Sequence, residues 1–581
     1  MSKFYLLDHS LRGVGGHHYE YALHTCRQAQ DRYDQVILAV HRDFSAAEEF
    51  DPSWQVLPVF SDDTYSPYCA FFSRPYVEPG RAQRWSHRLR QAVIRPWRKW
   101  RHTQGRTRHL QNFLASCSEV FSQYPLAPGD QVFVPTLSEL DLEGLVMYFQ
   151  VDPASRNVDW RLQFHFDVFE GRPGEYPVQT DRSDEMRRSF SRSLAQAAGQ
   201  RLSLYNTTPE LAAQYQQLGV AHFEAMPYPV NPAIQPADSV VDDSGSSALT
   251  GERRRVTCGG YFRREKGRRH LRELVTRLAP ELGSQGRVQL VVQGSARQIH
   301  KTVGAIRSTG QLRDDAIVTP PHPLSMEQYA ELIQRADIGL FLYDGRRYYA
   351  RCSGVLVEML AAGVPVITPA GCWLAEQFAE ASRDHYQQLA THPERQESVL
   401  ARRSLLQADA GPAAFPLNLE TPAADLLLRF RWRAPAEPGA LVRLRCQQFD
   451  RKNSLVASST AIAGFHQGDA VAGLFHLEPQ TVRIQAELEN AYDQRDLELE
   501  NLTAITLPAE EDGRLRPLGS VGLAFDAQED IPRLLNDMLD HYDHYRASSL
   551  AFSETWRNDH HPGQILDRFQ SPAAASPQRV A

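Results

Sequence analysis

Ser353-Gly354-Val355-Leu356-Val357-Glu358-Met359-Leu360-Ala361-Ala362-Gly363-Val364-Pro365-Val366-Ile367-Thr368-Pro369-Ala370-Gly371 is the stretch on which the reading of this chain turns. Ser353 is a good helix N-cap, because its hydroxyl can accept an orphan backbone N–H of the first turn. Val355, Leu356, Val357, Met359 and Leu360 then describe a helix apolar on most sides, hence buried, and Val364–Thr368 reads as a short strand. Glu358 lies about one turn inside that helix among apolar neighbours. An isolated carboxylate is costly to bury. Glu358 therefore has either a neighbouring arginine as salt-bridge partner or a ligand whose hydroxyls donate to it.

Working upstream, Arg255-Val256-Thr257 reads as a strand running into Gly259-Gly260-Tyr261-Phe262-Arg263-Arg264-Glu265-Lys266-Gly267. Further strands are predicted at Val288–Gln293, Ala316–Thr319 and Asp337–Tyr343, each separated by a helix-length segment. The first third of the chain has the same rhythm. Lys3–Asp8 is an apolar strand, Arg12-Gly13-Val14-Gly15-Gly16 a loop and His17–Gln30 a helix; strands follow at Gln35–Val40, Gln131–Pro135, Trp160–Phe166 and Arg201–Tyr205. Strands alternating with helices at this spacing predict two α/β units, each a parallel sheet covered on both faces.

In an open parallel sheet the carboxyl ends of the strands face the ligand crevice. That places three groups of residues where chemistry is expected. Gly15 and Gly16 form either a plain tight turn or a backbone approach to a phosphate or sugar at a helix N-terminus. His165, at the end of Arg161–Asp167, is either an ordinary buried histidine or a ligand contact; His17 and His18 are weaker candidates that could simply cap their helix. Arg263-Arg264-Glu265-Lys266, on a strand-to-helix loop, is either a solvated charge cluster or an anion site, together with the amides of Gly354 and Val355 behind Ser353.

The two α/β units, the strand–RREKG–helix segment and the SGVLVEMLAAGVPVITPAG stretch together resemble GT-B glycosyltransferases of the retaining, family-4-like group. The resemblance covers about residues 1–385 and resumes at about 515–581. It implies two facing Rossmann-like domains and transfer of a sugar from a nucleotide-sugar donor to a saccharide or lipid-linked acceptor, in cell-surface polysaccharide or glycolipid assembly. It places Lys266 on the donor diphosphate and Glu358 on the nucleotide ribose. The family's partner arginine stands five residues before the lysine, where this chain has Tyr261, so Arg263 or Arg264 would replace it. A family carboxylate eight residues before the glutamate is missing, Ala350 standing there, and Tyr349–Gly354 is similar instead to an R-x-SGV bacterial branch. The family's "HD" histidine over the donor sugar matches His165, although Phe166 separates it from Asp167. The implied site is therefore His165, Lys266 and Arg263 or Arg264 for catalysis, with Gly15, Gly16, Ser353, Gly354, Val355 and Glu358 holding the donor. Basic side chains and helix-terminal N–H groups stabilise a leaving diphosphate without a metal, and no Asp-x-Asp triplet follows a strand. No essential metal and no other cofactor is expected. A nucleotide-sugar epimerase of the same fold, working without an acceptor, and a catalytically inactive sugar-binding protein remain as alternatives.

Composition limits the remaining choices. A chain of 581 residues holds two to four domains at roughly 100–200 residues each. With 42% hydrophobic and 23% charged residues it is neither disordered, collagenous nor membrane-embedded. A net charge of −7 argues against nucleic acid as a partner by bulk electrostatics. Seven cysteines without a CxxC pair argue against a disulfide framework or zinc knuckle. The N-terminus turns polar too soon for a signal peptide and no run approaches 18 apolar residues, so a cytoplasmic protein is expected.

Two segments depart from the α/β rhythm. Between about Asp409 and Glu511 the period becomes two: Leu428, Phe430 and Trp432 alternate with arginines, as do Val442 and Leu444, while Val482, Ile484, Ala486 and Leu488 repeat the pattern. This predicts a β-sandwich, jelly-roll-like, inserted into the second unit and having its own core. It is either a carbohydrate-binding or a structural module. The domains are thus expected at 1–231 (N-terminal, acceptor side), 232–408 (donor-nucleotide side, first part), 409–511 (insert) and 512–581 (second part, with closing helices). The other segment, Arg81–Arg108, carries ten Lys or Arg and no acid, with Trp85, Leu89, Val93, Trp97 and Trp100 at helical spacing. A basic face with tryptophans suits peripheral contact with an anionic membrane at its inner face; the same pattern suits a solvated helix whose tryptophans enter the core. Pro96 and Gly105 argue against one long helix.

Overall fold

The computed structural model describes residues 2–69, 85–236 and 253–570, without 309, 322, 409, 421, 434–439, 465–469, 492–495 and 511–512; for 85–102 and 470 only the backbone is described. In the N-terminal unit, Lys3–Asp8 (β1), Gln35–His41 (β2), Gln55–Phe60 (β3), Gln131–Leu137 (β4), Asp159–Phe164 (β5), Arg201–Asn206 (β6) and Glu224–Ala225 (β7) form a parallel sheet of order β3-β2-β1-β4-β5-β6-β7. Its strands are buried on both faces, which is why they read as continuous apolar runs. On β1, Tyr5 and Leu7 belong to one core and Phe4 and Leu6 to the other.

The second unit has Arg254–Cys258 (β8), Val288–Val292 (β9), Ile317–Val318 (β10), Ile338–Leu340 (β11) and Val366–Pro369 (β12), closed by the distant Gly522–Phe525 (β21), in the order β10-β9-β8-β11-β12-β21. β21 pairs with β12 in parallel, so the chain leaves this sheet after β12 and returns to it after the insert. The expected fold class is the one found: two α/β units with parallel sheets, and antiparallel sheets inserted in the second. The helix Gly563–Gln570 then crosses back. Its Ile565, Leu566 and Phe569 pack with Phe4, Leu6 and Phe133 of the first unit, and the Phe569 carbonyl accepts an Arg161 N–H at 2.9 Å.

The insert holds Gln396–Leu406 (β13), Ala413–Asn418 (β14), Asp425–Trp432 (β15), Leu441–Phe449 (β16), Leu455–Gly464 (β17), Ala470–His476 (β18), Arg483–Asn490 (β19) and Leu497–Leu507 (β20), in two sheets, β13-β20-β15-β18 and β14-β19-β16-β17. Antiparallel pairing starts at Gln396, ahead of the expected boundary at 409. The core is also less private than the alternation implies. Leu426, Leu428 and Phe430 face the sandwich interior. Leu427, Leu474, Ile505 and Leu507 face the other way and join the core of the second α/β unit with Leu518, Ile531 and Met538. Each such fully buried aliphatic side chain contributes about 1.5–3 kcal/mol.

The basic segment also departs from expectation. A single helix runs from Trp85 to Gln123, through Pro96 and Gly105. Gly105 is there for room: a Cβ on it would lie 2.1 Å from the Tyr68 ring. The tryptophan stripe and most of the basic residues have side chains outside the described residues. No described helix is long and apolar enough to cross a membrane.

Candidate active site

The carboxyl ends of both parallel sheets open on one cavity of about 600 Å³ between the two units, a size suited to a small-molecule ligand. From the N-terminal side it is lined by Gly15, Gly16, His17, Glu20, Tyr65, His165 and Phe166. The opposite wall has Arg263, Lys266, Tyr329, Arg351, Ser353, Gly354, Val355 and Glu358. Nine of the ten residues singled out in the sequence thus meet here; Arg264 does not. It opens the short turn Arg264–Lys266 and projects into solvent, whereas Arg263, extended just before the turn, reaches the cavity. Of the two arginines, Arg263 is the one that lines the cavity.

The loop before the first helix carries Gly15 and Gly16. Both have left-handed φ, 82° and 80°, and open space where a Cβ would be, so the loop is a glycine turn and a cavity wall at once. The second glycine pair acts through proximity. Gly260, also left-handed, donates its N–H to the Gln293 side-chain oxygen at 2.6 Å, and a Cβ there would sit 2.6 Å from Lys266 Nζ.

Lys266 is thereby held against the floor of the cavity, 5.0 Å from the Tyr343 ring centroid. Among the described residues no carboxylate is within ion-pair distance of its ammonium. Burial pushes its pKa down, Arg263 adds to this, and Tyr348, Glu265 and Glu358 oppose it. A partly buried cation with no carboxylate partner favours an anionic ligand. Beside it, the helix Gly354–Ala361 starts under a Ser353 hydroxyl that accepts the Leu356 N–H at 3.4 Å, directing the first amides and the positive end of the dipole at the same space.

Glu358, one turn further, has no arginine partner among the described residues. Its carboxyl accepts the hydroxyl of Tyr329, from the helix Met326–Gln334. Burial raises its pKa to about 8, with Glu20 across the cavity adding to the effect and Tyr329 and Lys266 opposing it. Glu20 is itself held by His24 at 3.0 Å and Asn231 at 3.2 Å.

His165 follows the last residue of β5. Burial and the nearby His18 lower its pKa to about 4, so it is a neutral imidazole, and its Nε2 is buried without a partner among the described residues. Asp167, two residues on, turns away and pairs with Arg351 of the other unit at 2.5 Å. Ala350 stands where the family carboxylate is missing. It is buried in the first unit's core and its carbonyl accepts the Thr208 hydroxyl at 2.7 Å. With the Arg172 bond to the Gly371 carbonyl at 3.2 Å and the Arg346–Glu175 pair at 2.6 Å, these contacts set how the two walls face each other.

Tyr329, Arg351, Glu20 and Tyr65 were not legible as site residues. Only Arg351 carried a signal, its place just before Ser353. Among the described residues no group of three His, Cys, Asp or Glu is placed to hold a metal ion.

No protein-family model matches the sequence, and no curated protein does. Among solved structures, Anabaena HepE in complex with UDP and glucose matches with TM-score 0.38 and 11% identity, over 66% of this chain and 84% of that one. An α,α-trehalose 6-phosphate synthase from Burkholderia multivorans matches with TM-score 0.40 and 13% identity, over 66% and 85%. The N-terminal domain of Candida albicans trehalose-6-phosphate phosphatase matches with TM-score 0.37 and 12% identity, over 63% and 81%. At such scores each is a distant likeness only.

Proposed function

We propose that the chain is a glycosyltransferase. It moves a sugar from a nucleotide-sugar donor to a saccharide or lipid-linked acceptor, in cell-surface polysaccharide or glycolipid assembly. The observation that carries this reading is the half-buried Lys266 ammonium, without a carboxylate partner among the described residues, beside the Gly354 helix start in a cavity of about 600 Å³. That combination suits a diphosphate more than any neutral ligand.

In this reading Lys266 and Arg263 neutralise the charge that grows on the leaving diphosphate, and the amides of Gly354 and Val355 add hydrogen bonds to it. Glu358, once ionised, accepts the ribose hydroxyls, with Tyr329 orienting its carboxyl. His165, neutral and with Nε2 unpartnered, meets a hydroxyl of the donor sugar. Retention of the anomeric configuration follows from the family resemblance alone, and NMR of the fresh product tests it. The leaving group is stabilised by these side chains, so no resident metal is needed, and excess chelator should leave turnover unchanged.

The first experiment is a melting-temperature screen with UDP-glucose, UDP-galactose, UDP-N-acetylglucosamine and GDP-mannose. A ligand at 100 times its dissociation constant adds about 2.7 kcal/mol of stability. A shift with one of them, followed by release of its nucleoside diphosphate, supports transfer. Conversion of the free nucleotide sugar into its epimer, or saccharide binding with no response to any nucleotide, would replace this reading.

A further inference from the structure

A run of hydrogen bonds leads from the cavity wall into the N-terminal unit through residues given no role above. Asp8 ends β1 fully buried, with its Oδ2 3.0 Å from Nδ1 of His18. Nε2 of His18 is 3.2 Å from the Tyr65 hydroxyl, and that hydroxyl is 3.4 Å from Nε2 of His17. The two imidazole rings lie 4.1 Å apart. His17 and Tyr65 line the cavity and His18 stands behind them. A fixed anion in the core is thus connected to an imidazole on the cavity wall, and every intermediate link can both give and take a proton.

We propose that Asp8, His18, Tyr65 and His17 form a proton relay that draws the acceptor hydroxyl's proton out of the cavity onto His18. The relay rests on the glycosyl-transfer reading. The acceptor oxygen bonds to the anomeric carbon on the same face that the diphosphate leaves, which keeps the anomeric configuration, as that carbon's bond to the diphosphate breaks and the electron pair leaves with the diphosphate oxygen. The hydroxyl proton passes to Nδ1 of His17, the Nε2 proton of His17 to the Tyr65 oxygen, and the Tyr65 proton to Nε2 of His18. Asp8 stabilises the imidazolium so formed.

The surroundings set the direction of flow. His17 is open to the cavity, and desolvation by the cavity walls holds it well below the ordinary histidine range; His18, His165 and Arg263 lower it further, and Asp8 opposes them. Burial also works against charge on His18, but Asp8, its hydrogen bond and Asp63 outweigh it and leave His18 above that range. Tyr65 is 46% exposed at the cavity mouth; desolvation by the cavity walls, with Asp8 and Asp63 adding and Arg263 opposing, pushes its phenol up to about 12. The phenol therefore hands protons on without resting ionised.

Tyr65→Phe keeps the ring and cuts the chain. The measurement is release of nucleoside diphosphate from the four nucleotide sugars named above, with water as acceptor, between pH 5 and 9. In the unsubstituted chain the rate should rise with pH through a midpoint above about 6.5, as His18 frees itself to take a proton. In Tyr65→Phe the rate should fall at least about 100-fold. Its midpoint should move below about 6.5, where His17 titrates alone, and nucleoside diphosphate affinity should hold within about twofold. A native rate, or a lowered rate with an unmoved midpoint, overturns the relay. If none of the four sugars is bound or turned over, glycosyl transfer falls, and the relay is read directly by NMR titration of the whole chain labelled at histidine Cε1. His17→Gln and His18→Gln assign the signals. His18 titrating below His17 overturns the relay whatever the ligand.

Discussion

The two walls of the cavity are built alike and charged differently. Each is the carboxyl edge of a parallel sheet, with a glycine loop leading into the helix behind it. The C-terminal wall carries Arg263 and Lys266 as standing cations around a helix start. The N-terminal wall carries imidazoles, and desolvation holds His17 and His165 below the ordinary histidine range. Standing cations hold an anion whatever its protonation; neutral imidazoles can exchange protons and meet hydroxyls. In the proposed reading, the contrast puts the diphosphate on one wall and the sugar and acceptor on the other.

The largest effect should come from removing what supports the C-terminal wall. A shortened chain in which a flexible linker replaces 396–507 would expose the faces that meet Leu427, Leu474, Ile505 and Leu507. At about 1.5–3 kcal/mol for each of these side chains, the loss matches the whole stability of an ordinary domain. The shortened chain should aggregate and fail to bind nucleotide. A soluble monomer that binds a nucleoside diphosphate would mean that this wall stands by itself.

Lys266→Ala should cost less but act on chemistry alone. Turnover should drop about 10²–10³-fold, the scale of losing one preorganised contact to developing charge. The melting temperature should hold or rise, since a partly buried cation with no carboxylate partner among the described residues is removed. Equal turnover in the folded variant would remove the diphosphate from this wall.

Glu358→Gln has a smaller effect with a pH signature. At pH 9, where the native carboxyl is ionised, nucleoside diphosphate binding should weaken by about 1.5–3 kcal/mol, roughly 10- to 150-fold. Inorganic pyrophosphate should bind as before. Because Glu358 holds its proton up to about 8 in the folded chain instead of 4.5, the folded state binds the extra proton across that window. Its contribution to stability therefore falls as pH rises, by at most about 1.4 kcal/mol per unit. Glutamine lacks this slope, so the melting-temperature difference should move in the variant's favour between pH 5 and 8. Equal weakening of both ligands in calorimetric titration would take the ribose away from Glu358.

Arg264→Ala is the smallest perturbation, with activity expected to stay within about twofold, because an exposed charge outside the cavity contributes little. The same loss as in Arg263→Ala would mean that the loop repositions on binding.

Most of this architecture was legible because its signals are local. β1 is read correctly to the residue, and Ser353, Glu358 and Lys266 stand where short-range spacing put them. What failed did so where the deciding contact is remote. Pro96 and Gly105 suggested a broken helix, because the Tyr68 ring that needs the space at residue 105 is far away in sequence. Alternation suggested a self-contained sandwich. The contiguous Leu426-Leu427-Leu428 was the overlooked sign of a strand buried on both faces. The hydrogen bond from the Thr208 hydroxyl to the Ala350 carbonyl, a contact between the two units, likewise joins residues far apart in sequence.

The sequence alone determined the two α/β units, the antiparallel insert, the helix that starts at Ser353 and the lysine-bearing glycine loop, since period, caps and turn chemistry act over a few residues. The tertiary structure alone decided that Arg263 and not Arg264 faces the cavity, that Glu358 is met by Tyr329 and, among the described residues, by no arginine, and that Asp8 reaches His17 through His18 and Tyr65. Those outcomes depend on which side chains the packing of remote segments brings within about 3 Å, the range over which hydrogen bonds act, and no local pattern encodes that.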